Sequence, residues 1–551
     1  MNGRIAVLLS DRQAAANPID FQAKTFDTCR TMDAAERFNS GNAFLEKGQL
    51  DEAIEAFRNA IRLKPDHADA HNNLGRALTL RGKIDEAIES FRTAIRLRPD
   101  HLTSLSNLAV ALKDRGELDE AVALFRRLMD LSPGNVTYHS NLLYTLNFLP
   151  DISPADLLAE HRLWSHRHAD PLKSHWRAHA NDRDPDRRIR IGYASPDFKI
   201  HPVGRFILPL LVNHDHRQSE IYCYSWVRPP DDLTARCQRF ANVWRDVQAL
   251  SDDQAAELIR NDGIDILVDL TMHMKGHRLL IFARKPAPIQ VTYLAYAGTT
   301  GLDAIDYRMT DPYLDPDGNA DERYAEKSIR LPRSYWCYKP TIRDIPLSPP
   351  PSTQTGHITF GSLNNFCKVN DAVLDVWTKI LGAVANSRLM IHAHVGTHRD
   401  RVCRRFAENG IDPQRISFVP PVWIDAYMRQ YNQIDIGLDT FPYVGGTTTC
   451  DALWMGCPVV TLSGNTAISR GGVSILSNAG LPELIAQNPE AYVRLAADLA
   501  GDATRLAQLR GTMRERMSRS SLMDAKRFAA DMETVYRQIW KKWCASASGH
   551  A

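Results

Sequence analysis

The chain has 551 residues, 44% hydrophobic and 24% charged, with a net charge of +2. This ordinary globular balance leaves room for three or four units at about 150 residues each and gives no reason to expect nucleic acid or an acidic surface as partner. The nine cysteines are scattered, without a CxxC pair or a framework spacing, so they read as reduced thiols, and neither a disulfide scaffold nor a zinc cluster is expected. No run approaches the ~18 consecutive apolar residues of a membrane helix. Ile5-Ala6-Val7-Leu8-Leu9 lacks the cationic start and cleavage region of a signal peptide, so a cytoplasmic location is expected.

From Ala34 the sequence keeps a 34-residue beat. Asn73-Leu74-Gly75, Asn107-Leu108-Ala109 and Asn141-Leu142-Leu143 repeat at that spacing, as do Pro65, Pro99 and Pro133, Gly48, Gly82 and Gly116, and Phe57, Phe91 and Phe125. Small residues at Gly41, Gly75 and Ala109 with a closing proline make this the tetratricopeptide (TPR) pattern, predicted over residues 34–149. Each unit is a helix pair in which small residues allow close approach, Gly makes the turn and Pro stops the second helix. Such an array presents a concave groove and has no chemistry of its own. Asn39, Asn73, Asn107 and Asn141 share one repeat position and are expected to line one strip as acceptor-binding residues. An amide both donates and accepts, which suits it to gripping the backbone of an extended peptide. The competing reading is that each Asn only fixes its own inter-helix turn.

Pro150 and Pro154 interrupt the repeats, and residues 150–188 are predicted as a helical linker or cap that ends in a charged break. The texture then changes to short β-rich runs at 190–194, 221–226, 264–270 and 289–294, separated by helix-like segments. This alternation predicts a parallel sheet with helices on both faces, the first α/β lobe, over 189–345. Pro340, Pro346, Pro349, Pro350 and Pro351 mark a crossing, and a second alternation over 355–545 predicts the second lobe. Two doubly wound units place a cleft between the carboxyl ends of their sheets. A last helix near 524–543 carries Phe528, Met532, Val535, Tyr536, Ile539 and Trp540 on helical spacing, a packing stripe expected to dock across both lobes.

The most specific segment runs from Asp439 to Gly456. A strand ends at Leu438, Gly445 and Gly446 form a turn, and a helix is predicted to open near Thr447. Glycines admit a ligand close to the backbone, and a helix N-terminus presents unpaired N–H groups to an anion. Thr447, Thr448 and Thr449 add hydroxyls, and Asp451 is placed to accept hydrogen bonds from a ribose diol. An ordinary N-terminal cap is the plainer reading of Gly-Gly-Thr alone.

This string resembles the carboxyl-lobe signature of the O-GlcNAc transferase and SPINDLY family of TPR-containing glycosyltransferases. Matching segments include 191–198 with His201-Pro202, 284–291, 296–301 and 360–368, so the resemblance covers nearly the whole chain. It implies a GT-B fold and metal-independent, inverting transfer of a sugar from a nucleotide diphosphate to Ser or Thr of proteins, with UDP-GlcNAc as the expected donor. By the same resemblance Lys368 contacts the donor diphosphate, Asn365 donates to that region, Thr447 and Thr448 bind phosphate, and Asp451 binds ribose. His201 matches a histidine of the first lobe that serves as base or as donor positioner, and imidazole suits either role near neutral pH. The animal enzymes carry His at the position of Gly446, and Lys and His at those of Ile424 and Tyr427; Tyr427 is expected to stack on the base. SPINDLY-like relatives also lack the first His and use GDP-fucose, so O-fucosyl transfer is one alternative. A non-catalytic TPR protein that binds nucleotide is another.

Other constellations carry less. Asp182-Arg183-Asp184 and Asp315-Pro316-Asp317 are DxD strings in polar or Pro-rich breaks and read as solvated turns, with no metal expected. His273 and His277 lack the glutamate of a zinc helix, which leaves His273 a cleft-facing acceptor contact. His392 and His394 alternate at a strand end and read as packing or cleft residues.

Overall fold

The computed structural model describes residues 32–316 and 321–546; Ile5–Leu9 and Asp317 lie outside them. Seven helices build the array: Ala34–Glu46 (α1), Leu50–Leu63 (α2), Ala68–Leu80 (α3), Ile84–Leu97 (α4), Leu102–Asp114 (α5), Leu118–Leu131 (α6) and Val136–Leu146 (α7). Gly48, Gly82 and Gly116 turn the chain within each pair at φ +73°, +80° and +78°, a region that costs other residues strain. Close approach explains the small residues: a Cβ on Gly41 would stand 2.6 Å from the Phe57 ring, and one on Gly75 2.5 Å from that of Phe91. Each second helix ends two residues before its proline, because the residue ahead of Pro is pushed to extended backbone; Lys64, Arg98 and Ser132 all have φ near −140°.

Pro154–Trp164 (α8), a wider π-helical turn at Ser165–Ala169 and a tighter 3₁₀ turn at Asp170–His175 cap the array. Trp164 is fully buried and donates to Ser140 Oγ at 2.8 Å. His273 Nδ1 meets the same hydroxyl at 3.2 Å, and its Nε2 meets the Thr300 carbonyl at 2.8 Å. His273 therefore staples the last repeat to the first lobe. The expected cleft-facing role is corrected, since only 1% of it is exposed.

The first lobe is a seven-stranded parallel sheet: Ile189–Ser195 (β1), Ser219–Ser225 (β2), Val243–Asp246 (β3), Ile266–Asp269 (β4), Ile289–Thr292 (β5), Tyr307–Thr310 (β6) and Lys327–Arg330 (β7). The strand order is β3-β2-β1-β4-β5-β6-β7. Pro202–Asn213 (α9), Asp232–Phe240 (α10), Asp252–Asn261 (α11) and Leu279–Ala283 (α12) cross between strands. The second sheet has order β10-β9-β8-β11-β12-β13, from Thr359–Ser362 (β8), Arg388–His392 (β9), Ile416–Val419 (β10), Ile436–Leu438 (β11), Val459–Leu462 (β12) and Ile485–Ala486 (β13). Its helices are Ser352–Thr355 (α13), Asp371–Ala383 (α14), Thr397–Glu408 (α15), Ile424–Gln430 (α16), Thr447–Trp454 (α17), Gly471–Asn478 (α18), Pro489–Gly501 (α19) and Ala503–Arg519 (α20). Central strands are buried on both faces, which is why they read as unbroken apolar runs.

Ala525–Ala545 (α21) leaves the second lobe and packs on the first, against α9 and β5. Tyr536 Oη lies 3.3 Å from Tyr193 Oη, His214 meets Glu533 at 2.9 Å, and Arg183 stacks 3.8 Å over Trp543. The array in turn rests on the second lobe, where Asp85 Oδ2 accepts from the Thr397 amide at the start of α15 at 2.7 Å. The Asp182-Arg183-Asp184 string is engaged locally, and the expectation of a solvated turn fails at Asp315, which is buried. The Asp184 amide bonds to Asp182 Oδ1, and the buried Asp315 accepts from Arg308, Thr310 and Tyr324. Among the described residues no helix is long and apolar enough to cross a membrane.

Candidate active site

The carboxyl ends of β1, β8 and β11 face one another across a cavity of about 470 Å³ between the lobes. His201, Asn365, Lys368, Tyr427, Thr447, Thr448 and Asp451 all line it, drawn from a stretch of more than 200 residues. The four repeat asparagines do not.

Helix α17 supplies the anion-facing end. Its cap residue is Gly446, and no side chain caps it, so the ordinary Thr cap does not form and the first-turn N–H groups are left to the cavity. Gly445 has no room for a side chain, because a Cβ would lie 2.5 Å from Thr449 Oγ1 and 2.7 Å from Thr448 Oγ1. At Gly446 the nearest atoms are 3.9 Å away, so a larger residue fits there. Thr447 is half-buried on the wall. Thr448 Oγ1 donates to Asn364 Oδ1 at 2.6 Å, and the Thr448 carbonyl accepts from Tyr431 Oη at 3.0 Å. Tyr431 in turn meets Tyr427 Oη at 2.9 Å, which fixes the Tyr427 ring at the cavity edge.

After β8 the chain makes a loop and a tight turn at Phe366–Lys368. Asn365 is exposed on the cavity wall, whereas Asn364 is buried beneath it. Lys368 Nζ donates to the Val444 carbonyl at 2.9 Å and lies 4.3 Å from the Tyr443 ring centre. Burial pulls its pKa below the usual lysine value, against the attraction of Cys367 and Asp439. Burial pushes Asp439 up to about 6 although Gly445, Thr461 and Thr440 donate to it.

His201 caps α9 from the first lobe. Its Nδ1 accepts from the Val203 amide at 3.3 Å and stands 3.6 Å from Asp197 Oδ2. Burial lowers its pKa, so the ring is neutral at pH 7. An accepting Nδ1 leaves the ring proton on Nε2, which makes His201 a hydrogen-bond donor in this arrangement.

Asp451 differs from expectation. Its carboxylate is 1% exposed and already accepts from Arg205 of α9 and from Tyr338, so it is not a free ribose ligand as it stands. Arg205 lies one helical turn beyond His201, a spacing that could have flagged it. Tyr144, the last repeat's contribution to the cavity, sits 5.8 Å from Tyr296 and 6.5 Å from Tyr443, ring to ring. No local signal in the sequence marks it.

Asn39, Asn73, Asn107 and Asn141 each stand sixth in the first helix of their repeat. Two of them spend part of their amides on neighbours: Asn73 Nδ2 donates to Asn42 Oδ1 at 2.7 Å, and Asn107 Nδ2 to Asn72 Oδ1 at 3.0 Å. Asn39 is exposed and Asn141 half-buried. Tyr144, which lines the cavity, lies three residues beyond Asn141 on the same face of α7.

The model of glycosyl transferase family 41 matches residues 135–339 and 353–532. The chain belongs to that family. Tetratricopeptide repeat models match residues 38–101 and 81–136. Relatives include the probable UDP-N-acetylglucosamine–peptide N-acetylglucosaminyltransferase SPINDLY of Petunia hybrida, 38% identical over 410 residues that cover 73% of this chain and 44% of that protein. The UDP-N-acetylglucosamine–peptide N-acetylglucosaminyltransferase of Caenorhabditis elegans is 26% identical over 472 residues, 65% of this chain and 41% of that one. The chain thus spans under half the length of these curated relatives. A mutant of Thermobaculum terrenum O-GlcNAc transferase superposes with a TM-score of 0.86 at 35% identity, covering 93% of this chain and 98% of that one.

Proposed function

We propose that the chain is an inverting protein O-glycosyltransferase that moves N-acetylglucosamine from UDP-GlcNAc to Ser or Thr of proteins held by the repeat array. The observation that carries this reading is the meeting of the uncapped start of α17 and the Lys368 ammonium in one interlobe cavity, with His201 on the opposite lobe. The acceptor hydroxyl oxygen bonds to the anomeric carbon as the bond from that carbon to the diphosphate breaks; the electron pair leaves on the diphosphate, and the hydroxyl proton passes to the released diphosphate or to water. Lys368 and the helix N-terminus neutralise that growing charge without a metal ion. Thr447 and Asn365 add polar contacts, and Tyr427 offers a ring face for the base. His201, its proton on Nε2, positions the donor. Peptide lies along the asparagine strip and reaches the cavity past Tyr144. The activities for which these relatives are named agree with this reading.

The test is release of UDP from UDP-GlcNAc by the purified chain, with GDP-fucose run in parallel. Turnover of UDP-GlcNAc supports the reading. Turnover of GDP-fucose alone would replace the donor, and nucleotide binding without turnover of either would make the chain a binding protein.

A further inference from the structure

Arg205 stands one helical turn after His201 on α9, and Asp451 one turn after Thr447 on α17. Both helices start at the cavity, and the two side chains meet across the interlobe cleft. Arg205 Nη1 donates to Asp451 Oδ2 at 3.1 Å and Nη2 to Oδ1 at 2.5 Å, while Tyr338 Oη donates to the same Oδ1 at 2.6 Å. Only 10% of the Arg205 side chain and 1% of that of Asp451 are exposed.

A carboxylate offers roughly four lone-pair positions, and three here are taken. A ribose diol brings two O–H donors. Asp451 therefore cannot serve both hydroxyls and keep both bonds to Arg205. The guanidinium has an alternative within its own cavity: Arg205 lines it together with Lys368, Thr447 and Thr448, and its buried Nε has no hydrogen-bond partner. A planar fork suits two phosphate oxygens as well as it suits a carboxylate.

We propose that Arg205 is a donor-binding residue that exchanges partners. The ribose diol displaces it from Asp451, and its guanidinium turns to the nucleotide diphosphate from the first lobe, opposite Lys368. This rests on the nucleotide-sugar reading above. A nucleoside without phosphates breaks the buried pair and offers Arg205 nothing in return, which is costly. A nucleoside diphosphate supplies the replacement partner. The gain in affinity from adding the two phosphates is therefore expected to depend on Arg205.

The experiment measures Kd for UDP and, by competition, for uridine on the full chain, wild type against Arg205→Met and Arg205→Lys, with guanosine and GDP as a second pair. In Arg205→Met the ratio of uridine Kd to UDP Kd is expected to fall about 10- to 100-fold, the loss of a charge-assisted bond pair. Arg205→Lys, which keeps the charge without the fork, is expected to show an intermediate fall and carries the test alone should the Met variant not fold. A ratio unchanged in the folded variants would overturn the proposal. So would equal weakening of nucleoside and nucleoside diphosphate, which would make Arg205 a strut for Asp451 only. A wild-type chain that binds neither UDP nor GDP overturns the nucleotide-sugar reading itself and is seen before any substitution is made.

Discussion

Replacing Lys368 by Ala separates folding from chemistry. In the fold its ammonium makes one hydrogen bond to the Val444 carbonyl and one contact with the Tyr443 ring, together about 1–3 kcal/mol. The same burial that pulls its pKa down shows that the charge is desolvated, and its removal relieves that cost. The two effects oppose, so the melting temperature is expected to move little. The reaction is different. Charge grows on the leaving diphosphate, and losing one preorganised stabiliser lowers the rate on the order of 10²–10³, about 3–4 kcal/mol of barrier. The assay is single-turnover UDP release at saturating UDP-GlcNAc, with the melting temperature recorded on the same sample. A lysine of lowered pKa also brings an alkaline loss of activity at lower pH than an ordinary lysine would, and Lys368→Ala is expected to lack that limb. Turnover within about threefold of wild type, a difference under 1 kcal/mol, would refute the role given to Lys368.

Activity is expected to persist in excess EDTA, because Lys368 and the start of α17 carry the neutralisation; loss on chelation with recovery on manganese or magnesium would contradict this. Asn39→Ala is expected to weaken transfer to protein acceptors and leave hydrolysis of free donor and the melting temperature unchanged, since that amide is exposed. Asn73→Ala with Asn107→Ala is expected to do the same to transfer but to cost about 1 kcal/mol of stability per lost bond; equal loss of both activities in the Asn39 variant would make the strip structural. Burial holds His139 at about 3 and His161, His168 and His277 at about 4, against 6.5 for the free side chain. The unfolded chain then binds more protons between about pH 4 and 6.5, so stability falls as pH drops through that window. Asp269 and Asp439, raised to about 6 by burial, act in the opposite sense, but they are outnumbered, since burial also lowers His179 and His398 to about 4. The melting temperature is expected to decrease from pH 7 to pH 5, and a flat or rising curve would contradict the assignment.

The repeats were legible because every unit restates the same contact, a Phe ring on a small residue, at the same spacing. The long buried strands were legible as apolar runs. β6 was not, because Arg308 reads as a surface residue until Asp315 and Ser328 are seen to satisfy it inside the lobe. β3 and β7 are short and half-exposed, without the apolar density that marks β1 or β4. In the site, the glycines and threonines before and within α17 announced a helix start, since the backbone requirement is local. The engagement of Asp451 by Arg205 was not legible, as the partners lie 246 residues apart on different lobes. The burial of His273 likewise depends on how the cap docks, and nothing within its own segment records that.

The proposed function turns on transfer of N-acetylglucosamine to protein hydroxyls. It is tested most directly by incubating the purified chain with UDP-GlcNAc and a Ser/Thr-containing protein acceptor, then mapping the modified residues by mass spectrometry. The expected products are N-acetylglucosamine on Ser or Thr together with released UDP. An unmodified acceptor across the full assay, or modification only when GDP-fucose replaces UDP-GlcNAc, would contradict it.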